Sequence, residues 1–523
     1  MTASKPAFNL LDEPWIPIRS LAGEVREVSL SDALLRAGEY AALAETAPPN
    51  LIALYRLLLA ALHRALVTHH GQWKDSDRAR WFREGLPEAP IRAYLEQWRD
   101  RFWLFHPEHP FMQVAALAEA KETRDKLKSW TQISLEGANG NTPVMFDHAL
   151  DDAPVAITAA AACRNLLGFL QFTPGGLVKT FRDADKAGPL ANTAAVVPTG
   201  GNLGQTLVLG LHPFEKRTDD LPAWEHPAPG VDDLRADPIL ATGPNDRYSR
   251  LSRAVLLLPD SDSNSIRYIR FGAGLALEED VNAPDPMACY RISKEGKAIR
   301  ISFTEGRSIW RDLPSLVPDA AKASDLPAAV LSWAANLYAA LGQWDTPVQV
   351  LVAGLASDQA KLLRWRADRL ELPRALLTDP SAAAELREQV RFAEEVYFKL
   401  RRCCSDMVAA IMPDPDNKDT KSRARTILEN SPVAPVFFSV AERALPGLMQ
   451  QIASGDTDTA HPGWRAALKH AAEQAWDATR HSLGSSPAVL RAEARTWPRF
   501  RILLRSLEQS EPGTEFTQEE VTA

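Results

Sequence analysis

Residues 386–411 read LREQVRFAEEVYFKLRRCCSDMVAAI, and their spacing decides how the last part of the chain folds. Leu386, Val390, Ala393, Tyr397, Leu400, Cys404, Met407 and Ile411 fall alternately four and three residues apart. On a helix of 3.6 residues per turn only that alternation holds one apolar stripe against a partner helix, here for about seven turns. A second helix is predicted from near Pro432, carrying Phe437, Ala441, Ala444, Leu448 and Ile452, with a kink at Pro446. A third places Trp464, Leu468, Ala471, Ala475 and Ala478 at the same spacing. A fourth runs from Pro487 with Leu490, Ala494, Trp497 and Leu504. Together they predict a four-helix bundle over residues 377–510. The segment 511–523 holds Glu511, Glu515, Glu519 and Glu520 and no basic residue, and reads as a solvated tail.

Outward from the bundle, residues 1–376 read as one large mixed α/β domain, so the fold class is α+β. Phe8-Asn9-Leu10-Leu11-Asp12-Glu13-Pro14-Trp15-Ile16-Pro17 is a strand-like apolar run, with Gly23–Val28 as its hairpin partner. After Pro48-Pro49-Asn50, the residues Leu51, Leu54, Tyr55, Leu58, Leu62 and Leu66 share a helix face that Leu57 and Leu59 widen, which predicts a deeply buried helix. Residues 90–105 are predicted helical, as is 155–171, which ends at Thr173-Pro174-Gly175-Gly176. Strands are predicted at 205–211, 254–258 and 266–271. Val348–Gly354, Ser357–Ala360 and Leu362–Trp365 read as a hairpin with a polar tip, or as a buried strand leading into a helix.

The chain of 523 residues is long enough for two to four domains. No run of about 18 apolar residues is free of charge, which predicts no membrane span, and the first residues lack a secretory core, which predicts a cytoplasmic protein. The four cysteines, Cys163, Cys289, Cys403 and Cys404, form no C-x-x-C pair, so neither a zinc site nor a disulfide framework is expected. A net charge of −8 argues against non-specific coating of nucleic acid, while allowing a local basic patch.

Chemistry-bearing motifs are sparse. Pro107 and Pro110 keep His106, Glu108 and His109 off a shared helix face, so a turn is expected there and no metal. Gly200–Thr206 has Gln205 where a phosphate loop needs Lys, and nucleotide binding is not expected. No cofactor and no catalytic residues are assigned. Four features have both a bland and a functional reading. Gly175 and Gly176 form a turn, or a backbone edge able to approach a groove that a Cβ would block. Gln359 sits on a solvated tip, or hydrogen-bonds base edges. Phe146, in the loop 136–160, belongs to the core, or meets a partner or base. Arg491, Arg495 and Arg499 form a solvated helix face, or one that tracks phosphates.

The opening run, His109-Pro110-Phe111-Met112-Gln113, the loop ending Phe146-Asp147-His148, Pro174-Gly175-Gly176, the Gln359-Ala360 tip and the C-terminal bundle occur in an order that resembles the CasA family. These are the large subunits of the type I-E CRISPR surveillance complex, Cascade. The resemblance implies a non-catalytic subunit that recognises the protospacer-adjacent motif (PAM) in duplex DNA, helps to open the duplex for guide RNA and forms the platform for a helicase-nuclease. It implies as partners the other Cascade subunits with guide RNA, target double-stranded DNA and the helicase-nuclease, with no membrane. It maps PAM contact to Gly175, Gly176 and Arg270, a strand-separating wedge to Gln359 and Ala360 beside Ser357 and Asp358, and docking on the guide complex to Asn141, Phe146, Asp147 and His148. Some relatives have a PAM-reading Lys that Arg267–Leu275 lacks, and others hold zinc with cysteine pairs absent here. Outside the resemblance, a metal-dependent nuclease or hydrolase and a scaffold without nucleic-acid contact remain open.

Overall fold

Alternating strands near the start build a small sheet. Ile16–Ser20 (β1) and Val25–Val28 (β2) pair antiparallel, and Tyr40–Leu43 (β3) pairs with the other edge of β1. The computed structural model describes residues 5–136, 153–176, 178, 180–183, 185–215, 219–261, 264–278, 284–293, 295, 297–301, 307–319, 325–358 and 361–508. They divide into two units, one of residues 1–307 and 321–374, the other of 308–320 and 375–523.

In the first unit Pro48–His69 (α1) begins with two prolines, where missing N–H groups would be unpaired in any case. This helix is long and apolar enough to cross a membrane, but 78% of its apolar window is buried within the protein. Its charged residues are buried with partners. Arg56 lies 2.8 Å from Asp285, both side chains being fully buried, and Arg64 forms a bidentate pair with Glu225 at 2.7–2.8 Å. The opening run contributes a short strand, Ala7–Asn9, that pairs with Trp103–Phe105, and Trp15 is fully buried with its indole donating to the Leu10 carbonyl. The stretch 90–105 is α-helical only as far as Gln97; a 3-10 turn at Arg99–Arg101 follows, and the aromatic end forms a strand.

Ala159–Phe172 (α2) follows a Thr158 cap. Ala194–Thr199 (β4) precedes Leu203–Gly210 (α3), which corrects the strand expected at 205–211. Its run Leu207-Val208-Leu209 is buried on every side, and periodicity cannot separate such a helix from a buried strand. Asn202 caps it, while the Gly200 and Gly201 N–H groups donate to the Thr206 hydroxyl and the Gln205 amide. Arg253–Pro259 (β5) and Ser265–Ala273 (β6) pair antiparallel over their whole length. Val348–Asp358 (β7) and Lys361–Leu372 (β8) form the long hairpin, and β4 pairs with the far edge of β7. Gly354 is required in that sheet, because a Cβ there would lie 2.4 Å from the Thr193 carbonyl.

The second unit is a helical bundle. Pro380–Ala409 (α4) buries Leu386, Val390, Ala393, Leu400, Cys404 and Met407 as its spacing requires, with Ile411 past its end. Lys418–Glu429 (α5) is an additional helix. At Pro446 the chain breaks instead of kinking, into Val433–Glu442 (α6) and Leu445–Ala453 (α7), because proline is tolerated in the first turn of the new helix. Thr457–Ser482 (α8) and Pro487–Glu508 (α9) complete it. The seam of α9 differs from the expected one. Val489, Ala492, Thr496, Phe500, Leu503, Leu504 and Leu507 are buried, while Leu490 is 52% and Trp497 43% exposed. Residues 308–320 join this unit through Trp310, fully buried with its ring edge-on to Phe438 and Trp464, and through Arg311, bidentate to Glu394.

Candidate nucleic-acid interface

The turn at Pro174-Gly175-Gly176 is fastened from beneath by a buried arginine. Arg253, on β5, donates to the Pro174 carbonyl at 2.5 Å and the Lys186 carbonyl at 2.7 Å, and its guanidinium lies 2.9 Å from Asp185. Both side chains are almost wholly buried, so burial pushes the Asp185 carboxyl up and the Arg253 guanidinium down, with the contact between them opposing each shift. Gly176 donates to the Asp185 carbonyl and has φ +93°, a region a side chain strains. At Gly175 a Cβ would stand 3.1–3.2 Å from the backbone of Ala187 and Asp185. The turn is thus a pinned edge with its backbone close-packed on one side.

Arg270 lies on the same sheet, paired across from Leu256 on β5. Its guanidinium donates to the carbonyls of Thr123 and Arg124, so it is already engaged with the protein's own backbone. Six residues after Gly188 the chain enters β4, which carries the β7–β8 hairpin on its edge. The glycine turn and the hairpin are therefore joined by one short connection. Ser357 and Asp358 end β7 just past a bulge at Ala356/Ser357. Gln359 and Ala360 lie outside the described residues, as do Asn141, Phe146, Asp147 and His148.

The run at 106–113 is structural. The His106 ring accepts from the Glu108 and His109 N–H groups, while Gln113 donates to the Leu104 carbonyl at 2.7 Å and accepts from Leu257. Deeper in the first unit, His63 and His212 stack with centroids 3.4 Å apart. Burial pushes the His212 imidazole down to about 3 and that of His63 down as well, and pushes the Asp220 carboxyl up to about 6.

In the bundle the arginine stripe divides. Arg495 and Arg499 line a groove of about 820 Å³ between α4, α5 and α9, together with Arg401, Arg402, Lys421 and Arg425. Two carboxylates share it. Asp406 pairs with Arg499, and Asp416 lies 3.9 Å from Lys421 and 4.0 Å from Arg495. Arg491 is exposed outside that lining. The stripe was legible in the sequence. The groove was not, because its other wall comes from α5, whose Lys421 and Arg425 carry no apolar pattern to flag them.

The sequence profile of the CRISPR-associated protein Cse1 matches residues 9–475. A CasA/Cse1 protein of Thermus thermophilus is 36% identical over 512 residues, covering 96% of this chain and 98% of its own. The chain belongs to the CasA/Cse1 family. A solved CasA (Cse1) structure from Thermus thermophilus matches with a TM-score of 0.81 at 33% identity, covering 96% of this chain and all of that one. A chain from a solved CRISPR RNA-guided surveillance complex matches the fold at 22% identity with a TM-score of 0.72, covering 95% of this chain and 100% of its own. The α+β architecture with C-terminal helices is thus that of the CasA/Cse1 family.

Proposed function

We propose that this CasA/Cse1 protein is the large, non-catalytic subunit of a type I-E CRISPR surveillance complex. In this reading it recognises the PAM in duplex DNA, helps start opening of the duplex for guide-RNA pairing and forms the platform for the helicase-nuclease. The observation that carries the reading is coverage: likeness to the Thermus CasA/Cse1 protein spans nearly the whole of both chains. Within this reading the pinned backbone of Gly175 and Gly176 approaches the minor groove, where the absence of a side chain lets the main chain come close. A minor-groove reader distinguishes mainly A·T from G·C, which suits a tolerant motif. The β7–β8 tip, Gln359 and Ala360 beside Ser357 and Asp358, acts as the wedge. Unstacking a base step costs roughly a few kcal/mol, which the near-balanced exchange into guide–target pairing then offsets. Asn141, Phe146, Asp147 and His148 dock on the guide complex. Arg495 and Arg499 support nucleic acid from the bundle groove, and Arg491, outside its lining, adds little. Arg270 contributes only by leaving its present carbonyl partners.

Gln359→Gly with Ala360→Asp tests the assignment. In the assembled complex, affinity for PAM-bearing duplex is expected to fall about tenfold or more, since one disrupted wedge contact is worth roughly 1–3 kcal/mol. Co-elution with the other subunits should be unchanged. Wild-type duplex affinity in this variant rules out the wedge.

A further inference from the structure

We propose that Lys121, Lys126 and Lys128 form an edge that holds the phosphate backbone of duplex DNA beside the glycine turn, and that Arg270 positions this edge. The role presupposes that the protein binds PAM-bearing duplex and extends that contact beyond the motif. Residues 121–128 read KETRDKLK, four cations against two carboxylates. Both carboxylates are taken by arginines, Glu122 by Arg235 at 2.7 Å and Asp125 by Arg124 at 3.1 Å. Among the described residues the three lysines join no ion pair, and all three are exposed. Their charge therefore faces water. It is a local inversion of sign on a chain of net charge −8, and such an edge attracts a polyanion. Lysine suits a phosphate backbone, because its flexible stem carries a point charge that needs no fixed geometry.

The edge is fixed at its base and joined to the glycine turn through one sheet. Thr123 is buried, its hydroxyl donates to the Leu117 carbonyl at 2.7 Å, and its own carbonyl accepts from the Lys126 N–H at 3.0 Å. Arg270, on β6, donates to that same carbonyl at 2.7 Å and to the carbonyl of Arg124. Lys128 and Ser129 pair antiparallel with Ile269 and Tyr268 of β6. Arg270 thus holds the backbone from which Lys126 projects, while β6 holds that of Lys128. Contact with the motif itself would take Arg270 off these carbonyls; holding the edge does not. Further along β6, Ala273 pairs with Arg253, whose guanidinium fastens Pro174. From Ile269 to Ala273, a rise of about 3.3 Å per residue and two ladders of about 4.8 Å put the backbone of Lys128 about 16 Å from that of Arg253. That is about five steps of 3.4 Å along a DNA strand. A duplex seated on Gly175 and Gly176 and lying along this sheet brings its phosphates past the lysines within that length. Leu127, 54% exposed between two of them, offers an apolar contact to the sugars.

The test measures binding of PAM-bearing duplex by the assembled complex as salt is varied. Lys121→Ala with Lys126→Ala and Lys128→Ala should weaken binding about tenfold or more at low salt and lower the salt slope by about 2.7, at about 0.9 for each lost phosphate contact. The ratio of affinities for duplexes with and without the motif should stay as in wild type, because phosphate contacts carry no sequence information. Arg270→Met should lower the slope by about 1–2 with all three lysines present. Arg270→Lys, whose ammonium can still donate to a carbonyl, should recover part of that loss. Co-elution with the other subunits should be unchanged throughout. A wild-type slope in the lysine variant overturns the proposal. So does an Arg270→Met variant that loses the motif ratio and keeps the slope, which makes Arg270 a reader. So does a Leu127→Ser variant that no longer co-elutes, which makes the edge a protein contact. The proposed function fails separately, if the wild-type complex binds both duplexes alike.

Discussion

The glycine turn and the bundle groove use arginine in opposite ways. Arg253 keeps 1% of its side chain exposed, spends its donors on backbone carbonyls and lies beside a carboxylate that is itself fully buried. Arg495 keeps 62% exposed, and its nearest carboxylate is 4.0 Å away. In the first region the charge is internal and fastens a backbone edge; in the second it is external and creates a field. What an arginine does here follows from its burial and partners, and Arg270, bound to two carbonyls of its own chain, belongs with the fasteners.

Removing the fastener should give the largest effect. Arg253→Met leaves Asp185 buried without its partner, a change that typically costs about 3–5 kcal/mol. Urea unfolding should show that loss of stability, and protease cleavage near residues 174–188 should accelerate. Adding Asp185→Leu should recover most of the loss, because replacing both members of a buried pair by apolar groups is often close to neutral. If Arg253→Met cost no more than a surface substitution, the contrast between the two regions would collapse.

Acid should sharpen the comparison from another side. His212 is held neutral by burial, its pKa pushed down to about 3, and His63 is lowered with it. The unfolded chain takes up protons near the ordinary histidine value of about 6.5, while the native chain does not. Stability is therefore present above about 6.5 and falls with falling pH by about 1.4 kcal/mol per unit for each such imidazole. Asp220, pushed up to about 6, works in the opposite sense: between about 4 and 6 the native state holds a proton that the unfolded chain has released. Two imidazoles outweigh one carboxylate, so the first unit should weaken below pH 6.5. Hydrogen exchange should rise in peptides from 48–69 and 203–212 before those from 380–409. Equal acid sensitivity in both sets would contradict the assignment to this cluster.

The same contrast explains how much of the fold and of the candidate site could be read from the sequence. The α4 seam was legible because its apolar residues follow one period without interruption. On α9 two apolar stripes compete, one through Leu490 and Trp497 and one through Val489, Phe500 and Leu507, and only the packing of the other helices selects the second. The Trp310 insertion was not legible, since it is a contact between distant stretches with no local period. The Arg253–Asp185 contact was hidden for the same reason, being 68 residues apart in the chain. Gly175 and Gly176 were legible as a turn, but what pins them was not. The hairpin was legible as one of two readings, and the observed β7–β8 register decides between them.

The smallest effect separates the stripe from the groove. Arg491, Arg495 and Arg499 are equally spaced on α9, and as a simple phosphate-tracking face they would contribute alike. The groove predicts otherwise, because only Arg495 and Arg499 line it. Arg491→Ala should change folding stability by less than about 0.5 kcal/mol, as exposed substitutions do, and should leave oligothymidylate affinity nearly unchanged. Arg499→Ala should cost little stability too, since an exposed pair such as Arg499–Asp406 is worth about 0–1 kcal/mol. It should nevertheless weaken oligothymidylate binding and lower its salt slope by about 0.7, the step for one lost contact to a single strand. Equal slopes for the two variants would return the feature to a plain helix face and remove the groove from the argument.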